Sequence, residues 1–278
     1  MEKEILNQLT ALGHPQRMAI FRLLMRRFPD GVPAGELARA LDIKASTMSM
    51  YLAGLARAGL VAQRRSGTSL FYTVEMEAAR GLVSYLFFDC CRGRADLCAP
   101  LTGPSQPSVP AVPDRKLNVL FICTGNSVRS LFAEAILRQD AGDRFNAFSA
   151  GTHPYAQPNP LTIEVLQGLG HDVSSLRSKS LDEFQTPGAT DMDFVITVCD
   201  QAANEDCPSW AGQPFSAHWG VPDPARAEGS LAERTLAFRQ AYGALRNRIS
   251  AFSALSFDAL ERASLQNLVD DIGRYGRS

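Results

Sequence analysis

The sequence predicts two domains: a mainly α winged helix-turn-helix, followed by an α/β domain with a parallel sheet. Three observations point there. Residues 5–60 place apolar side chains at helical spacing and are followed by a short hairpin pattern. Residues 99–114, "APLTGPSQPSVPAVPD", hold five prolines in sixteen residues and almost no charge. The stretch beginning at residue 117, "LNVLFICTGNSVRSLFAEAILRQ", reads as a buried strand, a polar loop and an amphipathic helix.

Ile5, Leu9 and Leu12, then Ile20, Leu23 and Leu24, mark two helices broken at Gly13 and Pro15. "VPAGELARALDI" makes a short helix, and "KASTMSMYLAGLARAGLV" makes another after a tight turn, with Met48, Leu52 and Leu55 on one face. Lys44, Ser46, Thr47, Ser49 and Met50 then lie at the start of that second helix, the part that enters the major groove in a helix-turn-helix. "LVAQRRSGTSLFYTV" reads as two strands around Ser66-Gly67, a wing that offers Arg64 and Arg65 to phosphates. Leu82, Leu86 and Phe87 belong to a closing helix, after which come Cys90, Cys91 and Cys98. Three thiols without a nearby histidine are one ligand short of structural zinc and suit a soft three-coordinate ion such as arsenite or antimonite.

The proline-rich stretch predicts a semi-rigid linker between a first domain at 1–98 and a second at 115–255, with a helical extension at 256–278. In that extension Leu260, Leu265, Leu268 and Ile272 have helical spacing. Charge divides along the same line. Residues 1–100 carry 13 Lys and Arg against 9 Asp and Glu, and the rest carry 15 against 20. A mildly basic first domain is compatible with nucleic acid. The absence of a membrane-length apolar run or a signal peptide predicts a cytoplasmic protein with no membrane partner, and six intracellular cysteines suggest metal or redox chemistry.

The loop "CTGNSVRS" carries the chemistry. A cysteine, five residues and an arginine between strand and helix build an oxyanion cradle from Thr124, Gly125, Asn126, Ser127, Val128 and Arg129. The inward N–H groups and the helix N-terminus are expected to lower the Cys123 pKa. Arg129 offers a bidentate fork, Ser130 a hydrogen bond to the thiolate, and Gly125 backbone freedom.

Residues 5 to about 98 resemble the ArsR/SmtB winged-helix repressors through "GHPQRMAIFRLL" and "ASTMSMYLAGLARAGLV". Met50-Tyr51 stand where that family usually has a basic or histidine side chain. The resemblance implies operator DNA, a homodimer through the first domain, and arsenite as inducer at "CCRGRADLC". Residues 117 to about 255 resemble arsenate reductases of the low-molecular-weight phosphotyrosine phosphatase fold, through "CTGNSVRS", "FSAGTHP", "NPLTIEVLQGLG", "LRSKSLDEF", "VITVCD" and "HWGVPDPA". No aromatic residue follows the Asp-Pro here, as it does in the phosphatases.

That resemblance implies a relay. Cys123 attacks arsenic and Asp223 protonates the departing oxygen. Cys199 attacks the adduct and releases arsenite, leaving a Cys123–Cys199 disulfide. Cys207 then attacks Cys199, and the new disulfide goes to thioredoxin, with a glutaredoxin or low-molecular-weight thiol as the rival reductant. No tightly bound cofactor is implied, but Asn126, Glu134, Ser149 and Asp182 match positions that complete a potassium site in some related reductases. His218 and Trp219 are expected to pack beneath the acid loop. The reading is an arsenite-responsive repressor fused to an arsenate reductase. The alternatives are a DNA-binding regulator fused to a tyrosine phosphatase, or to an oxyanion sensor without turnover.

Overall fold

The computed structural model describes residues 2–91, 115–186, 188–205, 210, 214–257 and 262–275. The chain divides into two compact units, Met1–Pro107 and Ser108–Ser278. The linker expected at 99–114, Cys98, Cys207 and Leu260 lie outside the described residues.

In the first unit α1 (Glu2–Leu12) and α2 (Pro15–Arg27) are separated where the sequence places Gly13 and Pro15. Pro15 fits the first turn because it needs no N–H partner there, and His14 caps the helix by accepting from the Gln16 N–H at 3.2 Å. Then come β1 (Val32–Pro33), α3 (Ala34–Ala40), α4 (Ala45–Arg57), β2 (Val61–Ser66), β3 (Ser69–Val74) and α5 (Met76–Tyr85). One π-helical turn, Leu86–Cys90, continues α5. The sheet is antiparallel in the order β1-β3-β2, and the wing turns at Gly67, whose φ of 59° favours glycine. Ile20, Leu23, Leu24, Leu37, Met48, Leu52 and Leu55 are fully buried and form the core of this unit.

The second unit holds a parallel sheet in the order β5-β4-β6-β7, from β4 (Leu117–Cys123), β5 (Phe145–Gly151), β6 (Phe194–Thr197) and β7 (Phe215–His218). Every residue of β4 is buried, as a central parallel strand with both faces covered requires. The helices are α6 (Arg129–Ala141), α7 (Pro160–Gly168), α8 (Asp200–Asn204), α9 (Leu231–Ser253) and α10 (Arg262–Ile272). The Ser230–Glu233 capping box starts α9, and Asn159 with Pro160 starts α7.

Two expectations from the sequence change here. The sequence predicts an amphipathic α6, yet Ser130 through Leu137 are all buried, because α6 is wedged against β4, β5 and α9. In α10 the buried face is Leu265, Val269 and Ile272, while Leu268 is 38% exposed. This helix packs against β7. Phe145, Phe194, Phe252 and Phe257 form an aromatic cluster in the core, with ring centroids 5.0–5.6 Å apart in the contacting pairs. Burying each such ring stabilises the fold by about 1.5–3 kcal/mol.

Candidate functional site

Parallel strands place their loops at one edge, and the predicted chemistry gathers there. Cys123 ends β4, and Cys199 follows the end of the neighbouring strand β6. Asp223 lies on the loop after β7. Cys123 is 2% exposed; its sulfur is 2.9 Å from Ser130 Oγ and accepts the Asn126 N–H at 3.2 Å. The N–H groups of Gly125, Ser127 and Val128 reach no carbonyl or side-chain acceptor among the described residues. Arg129 donates through Nη1 to the Val221 carbonyl at 3.2 Å and through Nη2 to Asp223 Oδ2 at 3.0 Å. Its buried Nε has no acceptor among the described residues. Unsatisfied donors in one loop beside a thiol suit a tetrahedral oxyanion.

The loop's backbone is set by residues outside it. Asn126 takes a left-handed φ of 42°. Its Oδ1 accepts the Lys179 N–H at 2.7 Å, and its Nδ2 donates to Ser130 Oγ at 2.7 Å and Ser149 Oγ at 2.9 Å. Gly125 needs no unusual φ. It is small because Tyr155 lies across it: a Cβ there would sit 2.6 Å from the ring. Gly151 is tighter, since its Cβ would meet the Thr124 carbonyl oxygen at 2.6 Å.

The expected lowering of the Cys123 pKa is not what its surroundings give. Burial, and then the nearby Cys199 thiol, push it up; the Ser130 hydrogen bond and the Arg129 charge oppose them. Arg129 already faces a carboxylate, which blunts its pull on the thiol.

Cys199 is 1% exposed. Its sulfur lies 3.4 Å from Thr124 Oγ1, a residue of the oxyanion loop, and accepts the Ala202 N–H at the start of α8. Both thiols are free. Cys207 falls outside the described residues.

The acid loop rests on supports that the sequence signals only in part. His218 and Trp219 are fully buried, as expected. His218 contacts Thr197 Oγ1 at 2.8 Å, and the Trp219 indole donates to the Val269 carbonyl in α10 at 3.0 Å. Buried Arg248 donates to the carbonyls of Trp219 (2.9 Å), Gly220 (3.1 Å) and Tyr275 (3.1 Å). The C-terminal extension therefore braces the segment that carries Asp223. An arginine in the middle of α9 gives no such signal in the sequence.

Of the expected cation ligands, Asn126, Glu134 and Ser149 come together, with Ser149 Oγ donating to Glu134. Asp182 does not join them; it accepts from the Ser180 hydroxyl at 3.0 Å. Lys179, a residue of "LRSKSLDEF" to which the resemblance assigns no role, reaches Glu134 Oε2 at 2.8 Å.

In the first unit Lys44, Ser46, Ser49 and Met50 are exposed at the start of α4, Thr47 is half-buried, and Met50 is 61% exposed. Tyr51 instead turns onto His14, ring centroids 4.9 Å apart. Arg64 and Arg65 are exposed on the wing. Cys90 is exposed and Cys91 half-buried at the end of the α5 extension.

The fold and site define an α/β domain of the low-molecular-weight phosphatase type with a buried cysteine at the end of its central strand, preceded in the chain by a winged helix-turn-helix. The chain belongs to the low molecular weight phosphotyrosine protein phosphatase family, whose model matches residues 118–264, and a helix-turn-helix domain model matches residues 12–64. It is 34% identical to an arsenate reductase of Halalkalibacterium halodurans over 135 residues, 49% of this chain and 94% of that protein. A solved arsenate reductase in the phosphate-binding state is 25% identical, with TM-score 0.42, over 50% of this chain and 97% of the other. The first unit is similar to a homodimeric winged helix-turn-helix DNA-binding domain from Mycobacterium bovis, described as a possible ArsR-family transcriptional regulator. That likeness has 27% identity and TM-score 0.27, covering 29% of this chain and 73% of the other. No helix among the described residues is long and apolar enough to cross a membrane.

Proposed function

We propose that the chain is an arsenite-responsive DNA-binding repressor joined to an arsenate reductase. One observation carries the reductase reading over a phosphatase. Two buried free thiols, Cys123 and Cys199, serve one oxyanion loop, linked through Thr124. Ester hydrolysis uses one nucleophile, whereas reducing arsenic from +5 to +3 requires two electrons from thiols. The identity to arsenate reductases over 94% of their length supports the same reading.

The Cys123 thiolate bonds to arsenate held by Arg129 and the loop N–H groups, and an oxygen leaves as water with the proton of Asp223. Asp223 must first release Arg129, which takes up the oxyanion in exchange. Cys199 sulfur then attacks Cys123 sulfur. The Cys123–arsenic bond breaks, its electron pair stays on arsenic, arsenite departs and a Cys123–Cys199 disulfide remains. Cys207 attacks Cys199, which restores Cys123, and a dithiol such as thioredoxin reduces the Cys199–Cys207 disulfide.

For the first unit we propose a homodimer that reads an operator with the start of α4 and holds phosphates with Arg64 and Arg65. Arsenite would bind Cys90, Cys91 and Cys98. Cys90 and Cys91 end the segment continuing α5, so drawing the thiols together pulls on that helix. Arsenate, which cannot bind three thiols as arsenite does, becomes on reduction a ligand the same chain can sense.

The test is arsenate-dependent NADPH oxidation with thioredoxin and thioredoxin reductase, beside hydrolysis of p-nitrophenyl phosphate. The proposal requires sustained oxidation and little hydrolysis. Efficient hydrolysis without arsenate-dependent oxidation would make the second unit a phosphatase, and neither activity with tight oxyanion binding would make it a sensor.

A further inference from the structure

A lysine and a glutamate are buried together beneath the oxyanion loop, and neither touches the reacting groups. Lys179 and Glu134 are 8% and 4% exposed, with Nζ 2.8 Å from Oε2. Arg138 pairs with the other carboxylate oxygen and also donates to Ser175 Oγ at 2.8 Å. The Ser149 hydroxyl donates to Glu134 as well. A buried carboxylate is costly unless its charge is answered, and this one is answered by the protein's own cations.

The same residues do not fit an alkali ion. Asn126 Oδ1 is taken by the Lys179 N–H, which turns the Nδ2 donor toward Ser149 and Ser130. A donor cannot ligate a cation. Asp182 accepts from Ser180, away from the cluster, and the Glu134 oxygen facing it already holds an ammonium.

Lys179 also holds the loop directly. Its N–H fixes the Asn126 side chain, its carbonyl accepts the Gly151 N–H at 2.8 Å, and the neighbouring Ser178 hydroxyl donates to the Asn126 carbonyl at 2.9 Å. Asn126 in turn donates to Cys123 through its backbone and to Ser130 through its side chain. The ammonium and the backbone of one residue thus set the loop from below.

We infer that the Lys179 ammonium is a tethered replacement for an alkali cation beneath the oxyanion loop, and that Lys179 is a positioning residue for Cys123 acting through Glu134 and Asn126. The inference rests on Cys123–Arg129 being an oxyanion site, and not on arsenate being its substrate.

The experiment measures binding of inorganic phosphate to the reduced full-length protein by titration calorimetry. It is run in potassium, sodium or tetramethylammonium chloride at equal ionic strength. Wild type should bind phosphate equally in all three. Lys179→Ala leaves room for an ion beside Glu134. It should bind about tenfold more weakly in tetramethylammonium, an ordinary coupling within one hydrogen-bonded network, and recover most of that loss in potassium. Its melting temperature should rise with potassium while that of wild type stays fixed. Glu134→Gln/Lys179→Ala, which has no charge to answer, should fold and bind phosphate without regard to the cation, and it carries the test if the single variant is insoluble. Potassium-dependent binding by wild type, a folded Lys179→Ala indifferent to potassium, or a cation-dependent double variant would overturn the inference. Wild type that binds no phosphate in any salt would remove the oxyanion reading itself.

Discussion

The Arg129 guanidinium and the Asp223 carboxylate hold one another, Nη2 to Oδ2, at 3.0 Å. The oxyanion-binding cation and the proposed general acid are thus partners in this structure, and an incoming oxyanion competes with the acid for the arginine. Asp223→Asn removes that competition along with the acid. Turnover should fall roughly 10²–10⁴-fold, the usual span for a positioned acid. Phosphate affinity, read by calorimetry, should hold or rise. Equal losses in both would mean that Asp223 builds the loop and does not supply a proton.

The relay predicts different failures for its two described thiols. Cys123→Ser should abolish arsenate reduction, because serine is far less acidic and forms no reducible adduct. Cys199→Ser should keep phosphate binding and lose sustained turnover. Arsenite counted per protein molecule, with and without thioredoxin, checks both. Loss of phosphate binding in Cys199→Ser would make Cys199 structural.

Burial and the Cys199 thiol raise the Cys123 pKa, and the sign of the pH dependence follows. The reactive thiolate becomes more abundant as pH rises, so single-turnover adduct formation should accelerate toward alkaline pH. Stability runs the other way. The buried neutral thiol contributes its full stability below the unfolded cysteine pKa of about 8.5 and loses it as pH rises through the higher folded value. Urea midpoints of wild type should therefore fall more steeply above that pH than those of Cys123→Ser. Parallel curves would contradict the assignment of a buried, raised thiol.

On the wing, Arg64 and Arg65 are exposed on β2. Replacing either with alanine should weaken operator and unrelated DNA alike and reduce the slope of log affinity against log salt by about one. Substitution of Met50 should instead alter the ratio between operator and unrelated DNA. Binding measured across a salt series separates the two effects. A wing variant that lost only operator preference would place base readout there.

Residues close together in the chain are legible from the amino-acid sequence alone. Cys123, Arg129 and Ser130 flank one short loop, so spacing alone brings them together, and Met48, Leu52 and Leu55 fix the inner face of α4. Lys179 is hidden because its partner Asn126 lies 53 residues away, and a lysine between two serines reads as surface. Glu134 looks solvated because its partner Lys179 lies 45 residues on, and α6 looks amphipathic because α9, which packs on it together with β4 and β5, comes far later in the chain. Leu268 misleads because α10 has apolar residues at both 268 and 269, and only packing on β7 decides which faces inward. The raised Cys123 pKa is out of reach for a similar reason: spacing displays the arginine, but not the burial of the sulfur and the nearby Cys199 thiol that outweigh it.

If the second unit makes the ligand of the first, release from DNA must follow arsenate reduction. Fluorescence anisotropy of labelled operator DNA is followed after arsenate is added to the reduced protein with thioredoxin, thioredoxin reductase and NADPH. Wild type should leave the DNA progressively as arsenite accumulates. Cys123→Ser should stay bound with arsenate and leave at once when arsenite is added, while a triple serine variant at Cys90, Cys91 and Cys98 should consume NADPH yet remain on the DNA. Release of Cys123→Ser by arsenate as readily as wild type would mean that the second unit does not supply the inducer.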